Sequence, residues 1–211
     1  MRKELLLLAL MLCSCGTGSP APTATPRDSA TPRPPGPDSP IPTATPPPGV
    51  EAEEYAIYSA LIRQNPIGYN LGDFIVVRGQ TVGSLDMFET TLENVHPLPA
   101  SLVDSYRAQN AASHALSSNL DIEQDYVMMS QEDFDKIFGL KGQAWGRFQE
   151  RYPEASGFVL FSRVGFNDER DQALVDFGYR CGDLCGAGGL YLLVKEDGQW
   201  KVQEELMVWQ S

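Results

Sequence analysis

The run Ser156-Gly-Phe-Val-Leu-Phe-Ser-Arg-Val-Gly-Phe-Asn167 decides the fold, together with Gln172-Ala-Leu-Val-Asp-Phe-Gly-Tyr179, Leu190-Tyr-Leu-Leu-Val-Lys195 and Gly198-Gln-Trp-Lys-Val202. In the first segment Phe158, Leu160, Val164 and Phe166 fall on one face with Ser162 between them, and Val159, Phe161 and Arg163 fall on the other. Two largely apolar faces predict a central strand. In the second, Ala173, Val175, Phe177 and Tyr179 share a face opposite Leu174, Asp176 and Gly178, the pattern of a half-buried strand. Cys181 to Gly189 reads as a glycine-rich connection into Leu190 to Lys195, and Asp197-Gly198 is a tight-hairpin signal leading to Trp200, Val202, Leu206 and Val208. Links this short allow only antiparallel neighbours, so the reading is a meander of about four strands.

Working outward, Glu51 to Ser211 has the size of one domain. Tyr55, Tyr58, Ser59 and Ile62 repeat at helical spacing, with Glu51, Glu53 and Glu54 where the helix dipole favours negative charge, and Asn65-Pro66 ends the helix. Phe74 to Val77 is a short strand, and His96-Pro-Leu-Pro99 an extended break. Ser101 with Asp104 predicts an N-cap for a helix carrying Val103, Tyr106, Asn110 and His114. Tyr126 to Met129 reads as another strand. Ser130 caps a helix bearing Phe134, Ile137 and Phe138, and Trp145, Phe148 and Tyr152 form a further apolar face stopped by Pro153. Helices first and a meander after them give an α+β fold, with the helices expected on one side of the sheet.

The first fifty residues are of a different kind. Met1 to Ser14 has the layout of a signal peptide, with Arg2 and Lys3, an apolar run from Leu5 to Leu12 too short to span a bilayer, then small residues. Residues 15 to 50 hold the next cysteine and then a stretch of Pro, Thr, Ser and Ala in which Pro-Thr-Ala-Thr-Pro occurs at Pro22 and again at Pro42. Too few large apolar side chains are present to offset the entropy of ordering, and the prolines favour extended polyproline II, so this is a stalk.

Beyond Val50 the chain carries 25 acidic against 12 basic residues once the leader and stalk charges are subtracted from 28 and 16, a net of about −13. Nucleic acid is excluded as a partner on that ground, and direct adhesion to an anionic membrane surface is disfavoured. Cys181 and Cys185 are the only cysteines of the domain, and in an exported protein they form a disulfide. A zinc site would need two further ligands, and His96 and His114, the only histidines, lack ligand spacing. The C-x-x-x-C spacing on a hairpin also argues against a redox role. Asn167, Asp168, Glu169 and Asp171 offer oxygens to calcium but lack the EF-hand order, and turn chemistry accounts for them. No G-x-S-x-G, H-E-x-x-H or P-loop occurs, and no cofactor is implied. Arg163 is expected to pair with Asp176 or Glu204, and Ser162 to be a hydrogen-bonded core serine.

Leu12-Cys13-Ser14-Cys15-Gly16 resembles the bacterial lipobox. That resemblance implies a diacylglyceryl group on Cys15, which becomes the mature N-terminus, and a lipid-anchored protein on the extracytoplasmic side of the cell membrane. Ser162-Arg-Val-Gly-Phe-Asn167, Gln172-Ala-Leu-Val175, Cys181-Gly-x-x-Cys185-Gly and Gly198-x-Trp-Lys-Val202 resemble the C-terminal half of a group of uncharacterised bacterial exported proteins and lipoproteins, a likeness that brings no assigned activity. An N-terminal helix with a closing Asp-Gly-x-Trp-Lys-Val hairpin is similar to NTF2-like domains, whose sheet and helices enclose a conical pocket. The functional expectation is a non-catalytic binding or interaction module, its partner a protein or small molecule. The alternative is a small extracytoplasmic hydrolase with His96 or His114 as base. A histidine and a carboxylate within hydrogen-bond reach in a cleft would mark the enzyme, and an apolar pocket without them the binding module.

Overall fold

The computed structural model describes residues 50–82 and 98–211, with the side chains of Met207 and Val208 excepted. The expected signal peptide and stalk, with Cys15, and His96 lie outside the described residues. The fold is α+β: helices α1 (Ala52–Gln64), α2 (Ala100–Gln109), α3 (Gln131–Phe138) and α4 (Ala144–Arg151), and strands β1 (Phe74–Arg78), β2 (Asp125–Met129), β3 (Phe158–Phe161), β4 (Gly165–Phe166), β5 (Gln172–Gly182), β6 (Cys185–Glu196) and β7 (Gln199–Gln210). All seven strands form one mixed sheet in the order β2-β1-β3-β5-β6-β7, with β4 also on β5. The antiparallel meander stands, and β3 is central between β1 and β5. The sheet extends further than the meander, because β1 lies parallel to both β2 and β3. Those pairings need long crossovers, which the intervening helices supply.

Helices cover both faces of the sheet, which corrects the one-sided expectation. α1 buries Tyr55, Tyr58, Leu61 and Ile62 against Val159, Phe161, Val175 and Phe177. On the opposite face α2 packs Leu102 and Tyr106 on Leu174, Leu190 and Leu192. Beside it α3 and α4 pack Ile137 and Phe148 on Val76, Phe158 and Leu160. A sheet apolar on both sides requires two covers. The cap of α2 is also corrected: it begins at Ala100 with Pro99 as N-cap, and it stops at Gln109 with Asn110 as C-cap, leaving His114 in the following connection. Ser130 caps α3 as expected, accepting from Asp133 N at 3.0 Å.

The first strand of the meander is broken, and the break changes its faces. Phe161 pairs with Phe177, but Gly165 pairs with Leu174, so Ser162, Arg163 and Val164 oppose only Val175 and Asp176. One extra residue is a bulge, and with a side-chain period of two it moves everything after it to the other face. Val164 and Phe166 therefore join Val159 and Phe161 under α1, not Phe158 and Leu160.

The glycine-rich connection is also shorter than expected. β5 runs to Gly182 and β6 starts at Cys185, so Gly186, Gly188 and Gly189 are strand residues. Gly178 pairs with Gly188, and Gly188 with Trp209. A Cβ on Gly188 would come within 2.7 Å of both the Trp209 ring and the Gly178 backbone. The two glycines thus leave a depression that the indole covers. At β7 the register shifts twice against β6, between Leu190 and Tyr191 and between Leu192 and Leu193, so this strand carries two bulges. At its start the Gln64 side chain donates to Trp200 O at 3.0 Å and accepts from Val202 N at 2.9 Å.

Cys181 and Cys185 form the expected disulfide, with Cα atoms 5.0 Å apart across the β5–β6 turn. Closing so short a loop contributes about 2 kcal/mol in the chain-entropy account. Alkylation should detect no free thiol on these residues until reductant is added, and reduction should lower stability by no more than that amount.

Candidate functional site

Among the described residues two clusters of buried polar groups stand out, one closed and one open to a cleft. The closed cluster is built around the bulge. Arg163 would lose its ladder partners there, and Asn110 replaces them: its Oδ1 accepts from Arg163 N at 2.8 Å and its Nδ2 donates to Arg163 O at 2.9 Å. The guanidinium turns to α1 and binds Glu54 through two short bonds, Nε to Oε2 and Nη2 to Oε1, both 2.8 Å. Val164 N and Glu51 N, at 3.0 Å, and the Tyr58 hydroxyl, at 3.2 Å, complete the donors around this carboxylate. Glu54 is 1 % exposed and Arg163 2 %. Burial works against the arginine's charge, but Glu54 outweighs it and raises the Arg163 pKa. The partner is thus Glu54, not Asp176 or Glu204: Arg163 lies with Val159 and Phe161 on the α1 face, and Asp176 lies on the opposite face with Phe158 and Leu160. Ser162 is the expected bonded core serine, accepting from Asp176 N at 2.8 Å and donating to Arg163 O at 2.9 Å.

The open cluster lies on the other face of the same strands. A cleft of about 280 Å³ has Val82, Phe134, Phe158, Leu160 and Trp209 as its apolar lining. Its polar lining is Asp176, Arg78 and Arg180. Phe158 and Leu160 project from β3 as the first-segment alternation requires, while Trp209 reaches across the Gly178–Gly188 depression. The Arg180 guanidinium lies over the Trp209 ring at 4.1 Å and that of Arg78 over Phe134 at 4.2 Å. Asp176 is 5 % exposed, and its Oδ1 has no hydrogen-bond partner among the described residues. Arg78 Nε is buried without a partner as well. Burial pushes the Asp176 carboxyl up to about 7, with Arg180 pulling the other way. Burial lowers the Arg78 pKa against the opposing field of Asp135.

A larger hollow, about 640 Å³, lies between α1 and the β6–β7 turn, but Gln64 within it is engaged in tying down β7. His114 is half-buried and bonds through its backbone, accepting from Thr81 N and donating to Thr81 Oγ1, each at 2.9 Å. The described residues bring no carboxylate to its imidazole. Asn167 organises its own turn: Oδ1 accepts from Asp171 N and Gln172 N, and Nδ2 donates to Asp171 Oδ1 at 2.7 Å. The described residues hold no cluster of three or more metal-ligating side chains.

Sequence reasoning did not find the cleft. Asp176 was visible as a lone acid on an apolar strand, a signal in itself, but Arg78 and Trp209 come to it from strands more than a hundred residues apart. No family model, curated protein or solved structure matches the chain.

Proposed function

We propose that the chain is a bacterial lipoprotein, anchored through Cys15 and carried on its Pro/Thr-rich stalk, whose domain binds a small molecule in the cleft at Asp176. The observation that carries the binding reading is the buried Asp176 oxygen, which has no partner among the described residues and faces a partly apolar cleft. Native proteins pair almost all buried polar atoms, and the exceptions mark places where a water, ion or ligand completes the set. The anchor is supported by the Leu12-Cys13-Ser14-Cys15 pattern at the end of the apolar run. Acidity of the domain supports a tether, since the protein surface itself would not hold to anionic lipid.

Purification of the full chain from membranes in a non-ionic detergent tests both parts. Mass spectrometry should find the mature N-terminus at a diacylglyceryl-modified Cys15, and Cys15→Ser should leave the membrane fraction. Extraction of the wild type should release a small molecule that the Arg180→Gln chain does not carry. An unmodified amino terminus on another residue would refute the anchor, and identical extracts from the two chains the binding role.

A further inference from the structure

We propose that this cleft takes a small organic anion with an apolar, ring-sized body and a hydroxyl or amine donor close to its anionic group. The inference rests on the binding reading above and specifies the ligand. Among the described residues neither Arg78 nor Arg180 forms an ion pair, and the only hydrogen bond of Arg180's guanidinium is a long one, 3.5 Å to Ser211 Oγ. In a domain with 25 acids to 12 bases, two cations lining one cleft, with no ion pair among the described residues and Asp176 as the one acid in the lining, are a local reversal of sign. Guanidinium groups match a carboxylate or phosphate in geometry as well as charge. Their stacking on Phe134 and Trp209 holds the planar groups in place, so less freedom is lost when an anion binds.

The remaining lining defines the rest of the ligand. Phe158, Leu160 and Val82 offer a surface that a ring or branched chain would dry. When Asp176 is ionised its unpartnered Oδ1 accepts, and a donor beside the ligand's anionic group would complete it. A carboxyl that titrates near neutrality repels an incoming anion less than a fixed charge would. The volume, about 280 Å³, is at the small end of ligand sites and excludes chains or oligomers.

Isothermal titration of the full chain in maltoside detergent with 3-phenyllactate, hydrocinnamate and 2-phenylethanol separates the features. The second probe lacks the hydroxyl and the third the carboxylate. Phenyllactate should bind tightest, with the other two each weaker by about 10-fold or more. Arg78→Gln and Arg180→Gln should each weaken phenyllactate by about 10-fold while leaving phenylethanol unchanged. Equal affinity for phenylethanol and phenyllactate overturns the anion assignment. If none of the three binds while a molecule still co-purifies with the wild type and is lost in Arg180→Gln, the ligand class is wrong and the cleft remains a binding site. If none binds and nothing co-purifies, both readings fall.

Discussion

Glu54→Ala should lower the stability of the folded domain by about 3–5 kcal/mol, and Arg163→Ala by a similar amount. Each removes one member of a buried ion pair and leaves the other charge without compensation in a site where both are almost fully covered. The carboxylate loss also takes the acceptor from Val164 N and Glu51 N, while the Tyr58 hydroxyl keeps Ser162 O at 2.9 Å. Replacing both at once, Glu54→Leu with Arg163→Met, should recover a large part of the loss, because neither charge then has to be desolvated. Recovery stays incomplete, since the two backbone donors keep no acceptor. Urea unfolding of the three chains measures this. Single variants within about 1 kcal/mol of wild type would mean that water already reaches the pair and that the bulge is held by Asn110 alone.

Asp176→Asn should act in the opposite direction, raising stability above neutral pH. The folded carboxyl is pushed by burial from its ordinary 3.8 to about 7. Between those values the native state holds a proton that the unfolded chain has released, so stability is complete below the lower value. It falls as pH rises through this window and levels off above the higher one. The shift corresponds to a loss on the order of 4 kcal/mol at most, reduced by whatever water enters the cleft. The groups coupled to Asp176 are Arg180, which favours its charge, and Tyr106 and Tyr191: burial first raises both phenol pKa values, followed by Asp176 for Tyr106 and by Glu205 and then Asp176 for Tyr191. An amide does not titrate, so the difference between wild type and Asp176→Asn isolates this site from other carboxylates. Urea midpoints at about pH 4.5, 6 and 8 should diverge progressively in favour of the variant. A constant difference across the three would show that Asp176 ionises normally.

Legibility in the sequence followed the range of the interaction. The alternation in Ala173 to Tyr179 and the Asp197-Gly198 turn are local, and both appear in the structure where they were expected, with Asp197 and Gly198 at φ 51° and 77°. The bulge at Arg163 leaves local alternation intact while reversing which half of the segment meets α1, so no inspection of that segment alone would reveal it. Glu54 and Arg163 are separated by 109 positions, and nothing near either one announces the other. Gly186, Gly188 and Gly189 read as a connection because glycine is a turn signal. Here Gly188 is needed for close approach, and the long β5–β6 pairing overrides local propensity. The parallel pairing of β1 with β2 and β3 carries no short-range mark of any kind.

The outer margin of β7 shows how a long strand at the end of this sheet avoids recruiting a second chain. A twelve-residue strand whose alternate peptide groups point outward would be a template for intermolecular zippering and aggregation. Gln64 occupies the first of those groups with its own amide, imitating a neighbouring strand for one repeat. The two bulges then coil the remainder away from the flat shape on which fibrils grow. Wherever many copies of the domain are brought close together, that margin opposes their joining edge to edge.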